Sequence, residues 1–571
     1  MAVAPVAPGA GTPTGPVTVD FGDGSAAQTV TLTGGSATVA HTYTTTSGSP
    51  FTVTAAYGGD GDFGGSSGSV VQSVGQAGTS TVVSSSPDPS VVGEPVTFTA
   101  TVAPVAPGAG TPTGNVTFDF GDGSPTESGS LAGGTVTVTH TYASASGSPF
   151  TVTATYGGDG DFSGSADTGA HAVSPAATTA ALSDVPDPSV VGQPVTFTAT
   201  VAPAAPGAPT ATGTVVFDFG DGNVSGPVAV VGGAATTTHA YATTSGSPFT
   251  VAAVYNGNGD LTGSSATGSH TVNPAATTTS VFDDLPDPSV VGQPVTFTAR
   301  VAPVPPGAGT PAGTVVFDFG DGDVSGPVAV VGGMATTTHT YATSTGSPFT
   351  VAVAYSGDGD FTASSGSGGH TVQAAATTTT LSDVPDPSVV GQPVTFTATV
   401  APVAPGAGTA AGSVVFDFGD GSGTTTATVT GGVAMATHVY TDVAGSPYTV
   451  TADYGGDADF TGSTASGTHT VDQATTTATV TSAPDPSAVG EDVTVTATVT
   501  ADAPGAGTPT GTVTLDYGDG TAPETQTLTA GTVTATHAYA DTTGSPYTIT
   551  ATYGGTADFA GDTATVTQVV Q

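Results

Sequence analysis

The chain has 571 residues, 44 acids against one strong base, a formal net charge of −43 and no cysteine. That charge excludes nucleic acid as a partner, because phosphate binding needs Lys or Arg to displace counterions; Arg300 stands alone. No disulfide can staple the fold, and no apolar run reaches the roughly 20 residues of a membrane span.

The string Asp-Phe-Gly-Asp-Gly begins at Asp20, Asp119, Asp218, Asp318 and Asp417, and returns as Asp-Tyr-Gly-Asp-Gly at Asp516. A fixed long period means one folding unit copied in tandem. The predicted modules are 1–75, 76–175, 176–274, 275–374, 375–473 and 474–571, each of a size that suits a small β-sandwich. The first opens on Met1-Ala2-Val3-Ala4-Pro5, which matches only the end of a strand that later modules carry whole, as in Pro95 to Pro104. It is expected to lack roughly its first two strands, as in a fragment of a longer array or a chain read from a misplaced start codon. The same residues lack the basic and apolar regions of a secretion signal.

In the second module the predicted elements run as follows. An edge strand opens near Thr79 and is broken by Pro87-Asp88-Pro89, since proline suits a strand whose N–H groups face no partner. Strands follow at 96–102 and 116–120, then a short one after the Gly121-Asp122-Gly123 turn. Three more are expected at 136–142, 150–156 and 169–173. Apolar and polar residues alternate in these stretches, β-branched residues are enriched, and Gly, Pro and Asp punctuate them, which together mean half-buried antiparallel strands. The fold class is therefore all-β: a tandem array of immunoglobulin-like antiparallel β-sandwiches of about seven strands each.

Phe-Asp-Phe-Gly-Asp-Gly, followed by His-Thr-Tyr and then Gly-Ser-Pro-Phe-Thr-Val, resembles the PKD domain. Gly-Gln-Pro-Val-Thr-Phe-Thr-Ala-Thr-Val and Tyr-Gly-Gly-Asp-Gly-Asp-Phe resemble bacterial Ig-like repeats of secreted surface proteins. Where PKD modules usually carry Trp, this chain has Phe118, Phe217, Phe317, Phe416, Val19 or Leu515. The resemblance implies an extracellular or cell-surface location and specifies fold more than function.

Each Gly-Asp-Gly turn, as at Asp23, is expected to bond its own backbone. A second acidic string, Tyr156 to Phe162, places alternating Asp and Gly in the loop before the last strand. Such a loop presents oxygens of the kind Ca²⁺ takes, but two Asp are too few for a tight site. In this sandwich that loop lies at the N-terminal end of a module and the Gly-Asp-Gly turn at the other. Asp23 is thus expected to approach Asp159 and Asp161, Asp221 to approach Asp358 and Asp360, and Asp321 with Asp323 to approach Asp457 and Asp459. Facing carboxylates make calcium the one candidate cation, held between modules, and no cofactor is otherwise required.

His41, His140, His239, His339, His438 and His537 share the inward phase of their strand and are expected to be buried, hydrogen-bonded and structural. His171, His270, His370 and His469 lie in the last strand, and two His per module fall short of a zinc site. Nothing supplies a thiol nucleophile, a Gly-x-Ser-x-Gly elbow or a phosphate loop, so no enzyme is expected. The leading expectation is a monomeric, rod-like stalk or spacer of a bacterial surface or secreted protein. The rival is an adhesin or glycan-binding array acting by multivalency on a surface protein or glycan, against which stand the absence of Trp and the inward phase of most aromatics.

Overall fold

The computed structural model describes residues 1–571 as two compact units, Met1–Pro274 and Ala275–Gln571. It contains strands, turns and bends and no helix, in keeping with the period-two patterning.

In the first unit, residues 76–175 show the full plan. Thr79–Ser86 pairs antiparallel with Pro95–Pro104, which pairs antiparallel with Thr135–Thr141. The facing sheet has four strands in the order Ser165–His171, Phe150–Tyr156, Asn115–Asp119, Glu127–Ser130. Alternation along Pro95–Pro104 sends Val96, Phe98, Ala100 and Val102 into the core, against Val116, Phe118 and Phe120 from the other sheet. Tyr142 sits between the layers and donates its hydroxyl to the Phe120 carbonyl at 3.1 Å, so its one polar atom is satisfied.

Two details depart from the sequence reading. The last long strand starts at Ser165, not 169, because its inner face carries half-buried small residues such as Ser165 and Asp167 and shows no apolar alternation to read. After the prolines, Ser90–Val91 leaves the three-stranded sheet and pairs parallel with Val173–Ser174 in a separate two-stranded ladder, and a pairing two residues long leaves no periodic trace.

The plan recurs in residues 176–274 of the first unit and three times in the second unit, with long central strands Pro194–Pro203, Pro294–Pro303, Pro393–Pro402 and Asp492–Ala501. Thr277–Leu285 absorbs one extra residue in a bulge between Val281 and Asp283, which throws Phe282 outward at 54 % exposure. Arg300 lies 5.9 Å from the centre of that ring, so the one strong base covers it through a cation–π contact.

The first module has only the four-stranded sheet, Gln28–Thr31, Pro16–Asp20, Phe51–Tyr57 and Ser66–Gln72. Met1 to Val3 hold the short end of a facing layer through an Ala2–Ser36 bridge and the Val3 N–H to Gly35 carbonyl bond. Residues 38–43 stand in no ladder. Val53 and Ala55 are half-buried here, whereas their counterparts Val152 and Ala154 are 2 % and 0 % exposed.

Candidate functional site

The Gly-Asp-Gly turn is built from its own residues. Asp20 Oδ1 accepts the Gly22 N–H, and Asp23 Oδ1 accepts the Ser25 N–H at 3.0 Å. Asp23 Oδ2 lies 2.7 Å from His41 Nε2, and the His41 ring stacks on Phe21 at 4.0 Å. The same pair recurs as Asp122–His140, Asp221–His239, Asp321–His339, Asp420–His438 and Asp519–His537. Hydrogen bonds from the Ser25 hydroxyl and then His41 hold the Asp23 carboxyl down at about 2. These histidines share the inward phase but are half-buried, because they sit at the end of the sheet where the turn reaches them.

A second histidine is buried in each of four modules. His270 Nε2 lies 2.8 Å from Ser189 Oγ and its Nδ1 lies 2.5 Å from Asp184 Oδ2, with Asp187 at 3.6 Å. His370 repeats this with Ser289 and Asp284, and His469 with Ser388 and Asp383. His171 instead has a serine on each side, Ser90 and Ser85. In the sixth module Gln568 takes the place, donating to the Pro484 carbonyl at 2.9 Å and Ser487 Oγ at 3.3 Å. The Ser–His–Asp order is that of a hydrolytic triad, but Ser189 is 1 % exposed, so no substrate can reach the hydroxyl. The cluster ties the opening strand to the last strand. Its members lie 81 and 86 residues apart, beyond any local motif.

These clusters also bring ligand-type atoms together: Asp184, Asp187 and His270; Asp284, Asp287 and His370; Asp383, Asp386 and His469; and Asp321, Asp323 and His339, each within 4.8 Å. Asp321 and Asp323 thus meet a histidine of their own module.

Across the junctions the arrangement differs from the expected facing carboxylates. Asp159 turns back on its own loop: Oδ1 accepts the Asp161 and Phe162 N–H groups, and Oδ2 accepts from Thr113 N and Oγ1. Burial opposes its ionisation, yet these bonds bring it down to about 2. Asp358 and Asp457 close their loops the same way.

The second Asp of the string crosses to the preceding module. Asp161 Oδ1 accepts the Thr46 N–H at 2.6 Å and the Thr45 hydroxyl at 2.9 Å. Asp260 takes the Ala145 N–H and Ser144 hydroxyl at 2.8 and 2.7 Å. Asp459 takes the Ser344 N–H and Thr343 hydroxyl at 2.7 and 2.8 Å. At the last junction Asp558 takes only the Val443 N–H, at 2.9 Å, because Asp442 stands where a hydroxyl residue stands in the earlier copies. The surface that meets the acidic loop is therefore the turn before Phe51 and its equivalents, and it offers donors; Asp23 is occupied by Ser25 and His41. Asp360 Nα donates to Asp358 and its carbonyl accepts the Ala275 N–H within the second unit.

A backbone contact reinforces the junctions of the second unit: the Ala407 N–H donates to the Val291 carbonyl and the Ala506 N–H to Val390, both at 3.1 Å. Gly391, at φ +79°, lies so close to the next module that a Cβ would meet the Ala506 carbonyl oxygen at 2.2 Å.

The global likenesses to solved structures are low. The N-terminal eight Ig domains of Down Syndrome Cell Adhesion Molecule isoform 1.30.30 are 14 % identical, over 97 % of this chain and 68 % of that one, at a TM-score of 0.22. The native conformation of E. coli alpha-2-macroglobulin is 11 % identical, over 98 % of this chain and 44 % of that one, at 0.15. No curated protein sequence matches. The model of the bacterial Ig-like domain (group 3) matches five times, at residues 83–174, 182–273, 284–375, 381–472 and 480–571, which is the Ig-like half of the resemblance drawn from the motifs. With five matched repeats on five complete sandwiches, the chain belongs to the bacterial Ig-like domain (group 3) family.

Proposed function

We propose that the chain is a structural spacer, a stalk segment of a bacterial surface or secreted protein in which Ig-like modules are held in register by direct contacts. The observation that carries this reading is the repeated aspartate clamp, in which Asp161, Asp260, Asp459 and Asp558 each take a backbone N–H from the module before. A flexible string of domains needs no such bond; a spacer that transmits position does. Asp161, Asp260 and Asp459 accept N–H and hydroxyl hydrogen bonds and Asp558 an N–H, so on this reading the clamp itself needs no bridging cation. An adhesive or glycan-binding array would need exposed aromatic platforms, and Phe282 is the one aromatic among the exposed large apolar side chains.

The absence of cysteine makes the test direct. Spin labels at Thr350→Cys and Thr449→Cys, on exposed equivalent positions of the fourth and fifth modules, report the distance across one junction of the second unit. A narrow distribution that broadens on Asp459→Ala and ignores calcium chelation supports the spacer. A broad distribution in the parent chain, or one that narrows only with calcium, rejects it.

A further inference from the structure

We propose that Asn258 is a self-modifying site, losing its side-chain amide to its own backbone and becoming the aspartate that other modules carry at that place. The chain has five asparagines, and two of them, Asn256 and Asn258, stand before glycine. Asn258 takes the position of Asp159, Asp358 and Asp457, in the loop whose next acid, Asp260, clamps the preceding module. An Asn–Gly pair is the one most open to this reaction, because glycine puts no Cβ beside the attacking nitrogen.

The fold presents the Asn258 amide for attack. Its Oδ1 accepts the Asp260 and Leu261 N–H groups, both at 2.9 Å. Those two donors polarise the carbonyl and face the oxygen on which negative charge develops, as an oxyanion hole does. Nδ2 donates to Thr212 Oγ1 at 2.9 Å, so a hydroxyl stands beside the departing nitrogen to protonate it. Gly259 is exposed, and a Cβ there would meet nothing within 4 Å, so its nitrogen has room to turn onto Cγ. Asn256 lacks this setting: Gly257 is held at φ +75°, where a Cβ would meet the Leu261 carbonyl oxygen at 2.6 Å.

In the reaction the Gly259 N–Cγ bond forms and the Cγ–Nδ2 bond breaks, and the nitrogen leaves as ammonia with the Gly259 proton. One water then opens the succinimide. Opening at Cγ gives aspartate on an unchanged main chain; opening at the other carbonyl gives an isoaspartyl link, longer by a CH₂. The loop is built for the first product. In the second, fourth and fifth modules the same two N–H groups bind one carboxylate oxygen, and the Thr113, Ala312 or Ala411 N–H binds the other. Where Asn258 stands, Nδ2 is a donor and cannot take the Thr212 N–H. Once formed, the carboxylate stays ionised at neutral pH, as Asp159 does with its value at about 2, and an ionised carboxylate resists a second attack.

The test warms the full chain at neutral pH and follows both asparagines by mass-spectrometric peptide mapping. Asn258 should convert faster than Asn256 by roughly tenfold or more, with aspartate as the main product. In a synthetic peptide of residues 252–264, which has no sandwich to hold it, the two should react alike. Gly259→Ala should slow conversion at Asn258 by roughly tenfold or more and still fold, since Ala458 and Ala557 hold that place in the fifth and sixth modules. Asn258→Asp, the expected product, should keep the amide protection of Ala145, whose N–H Asp260 accepts. No conversion in the folded chain, conversion at Asn256 as fast or faster, a mainly isoaspartyl product, an unslowed Gly259→Ala, or loss of Ala145 protection in Asn258→Asp overturns the proposal.

Discussion

Replacing Asp459 with Ala removes the acceptor of the Ser344 N–H and the Thr343 hydroxyl, at 2.7 and 2.8 Å. Replacing Asp558 with Ala removes the acceptor of one N–H, that of Val443. A hydrogen bond to a charged group contributes about 1.5–3 kcal/mol when well shielded. Both carboxylates are half-buried, and solvent screening pulls each bond to about 1 kcal/mol. The first change should therefore cost its junction about 2 kcal/mol and the second about 1 kcal/mol. In local opening equilibria these are roughly 30-fold and roughly 5-fold. Amide hydrogen exchange on the full chain reads both: protection of Ser344 and of Val443 should fall in that ratio, while amides of Tyr448–Tyr454 stay unchanged. Equal losses at the two junctions would refute the assignment of the hydroxyl bond. Loss throughout the fifth module would refute a role confined to the junction.

His469→Ala should cost the fifth module about 3 kcal/mol, because Ser388 and Asp383 lose their shared buried partner, whereas His469→Gln should stay within about 1 kcal/mol of the parent, since Gln568 fills that place in the sixth; native-state exchange of Tyr448–Tyr454 measures both. Gly391→Ala should uncouple the fifth and sixth modules, and Gly490→Ala, at φ +78° with nothing within 4 Å, should cost only the backbone strain of about 1–2 kcal/mol; an equal effect of the two on amide exchange at Val443 would remove the close-approach argument. Asp23 is held at about 2 against an ordinary 3.8. A depressed folded-state value gives stabilisation that is complete above about pH 4 and lost as pH falls through about 2. A carboxyl NMR titration should place the Asp23 midpoint near 2 and shift it upward in Ser25→Ala; a midpoint near 4 in the parent contradicts the turn geometry.

The alternation of Val, Phe and Thr in stretches such as Pro95–Pro104 determined the strands and their buried faces without reference to any partner. A period of two assigns each side chain to one side of a sheet, and one copy of that signal in each module was enough for the sandwich class. The inward phase of His41 and its equivalents was legible for the same reason. What the tertiary structure alone decided were the partners. The sequence paired Asp161 with the Gly-Asp-Gly turn, as two loops at opposing ends; the fold brings the turn at Thr45 and Thr46 there instead and leaves Asp23 to His41. Asp184, Ser189 and His270 form one buried cluster although the histidine lies more than 80 residues from both, and Ser90–Val91 pairs parallel with Val173–Ser174 across a similar distance. Local patterning encodes which way a side chain faces; which group it meets depends on the packing of segments far apart in the chain, and that is fixed only when the two sheets close.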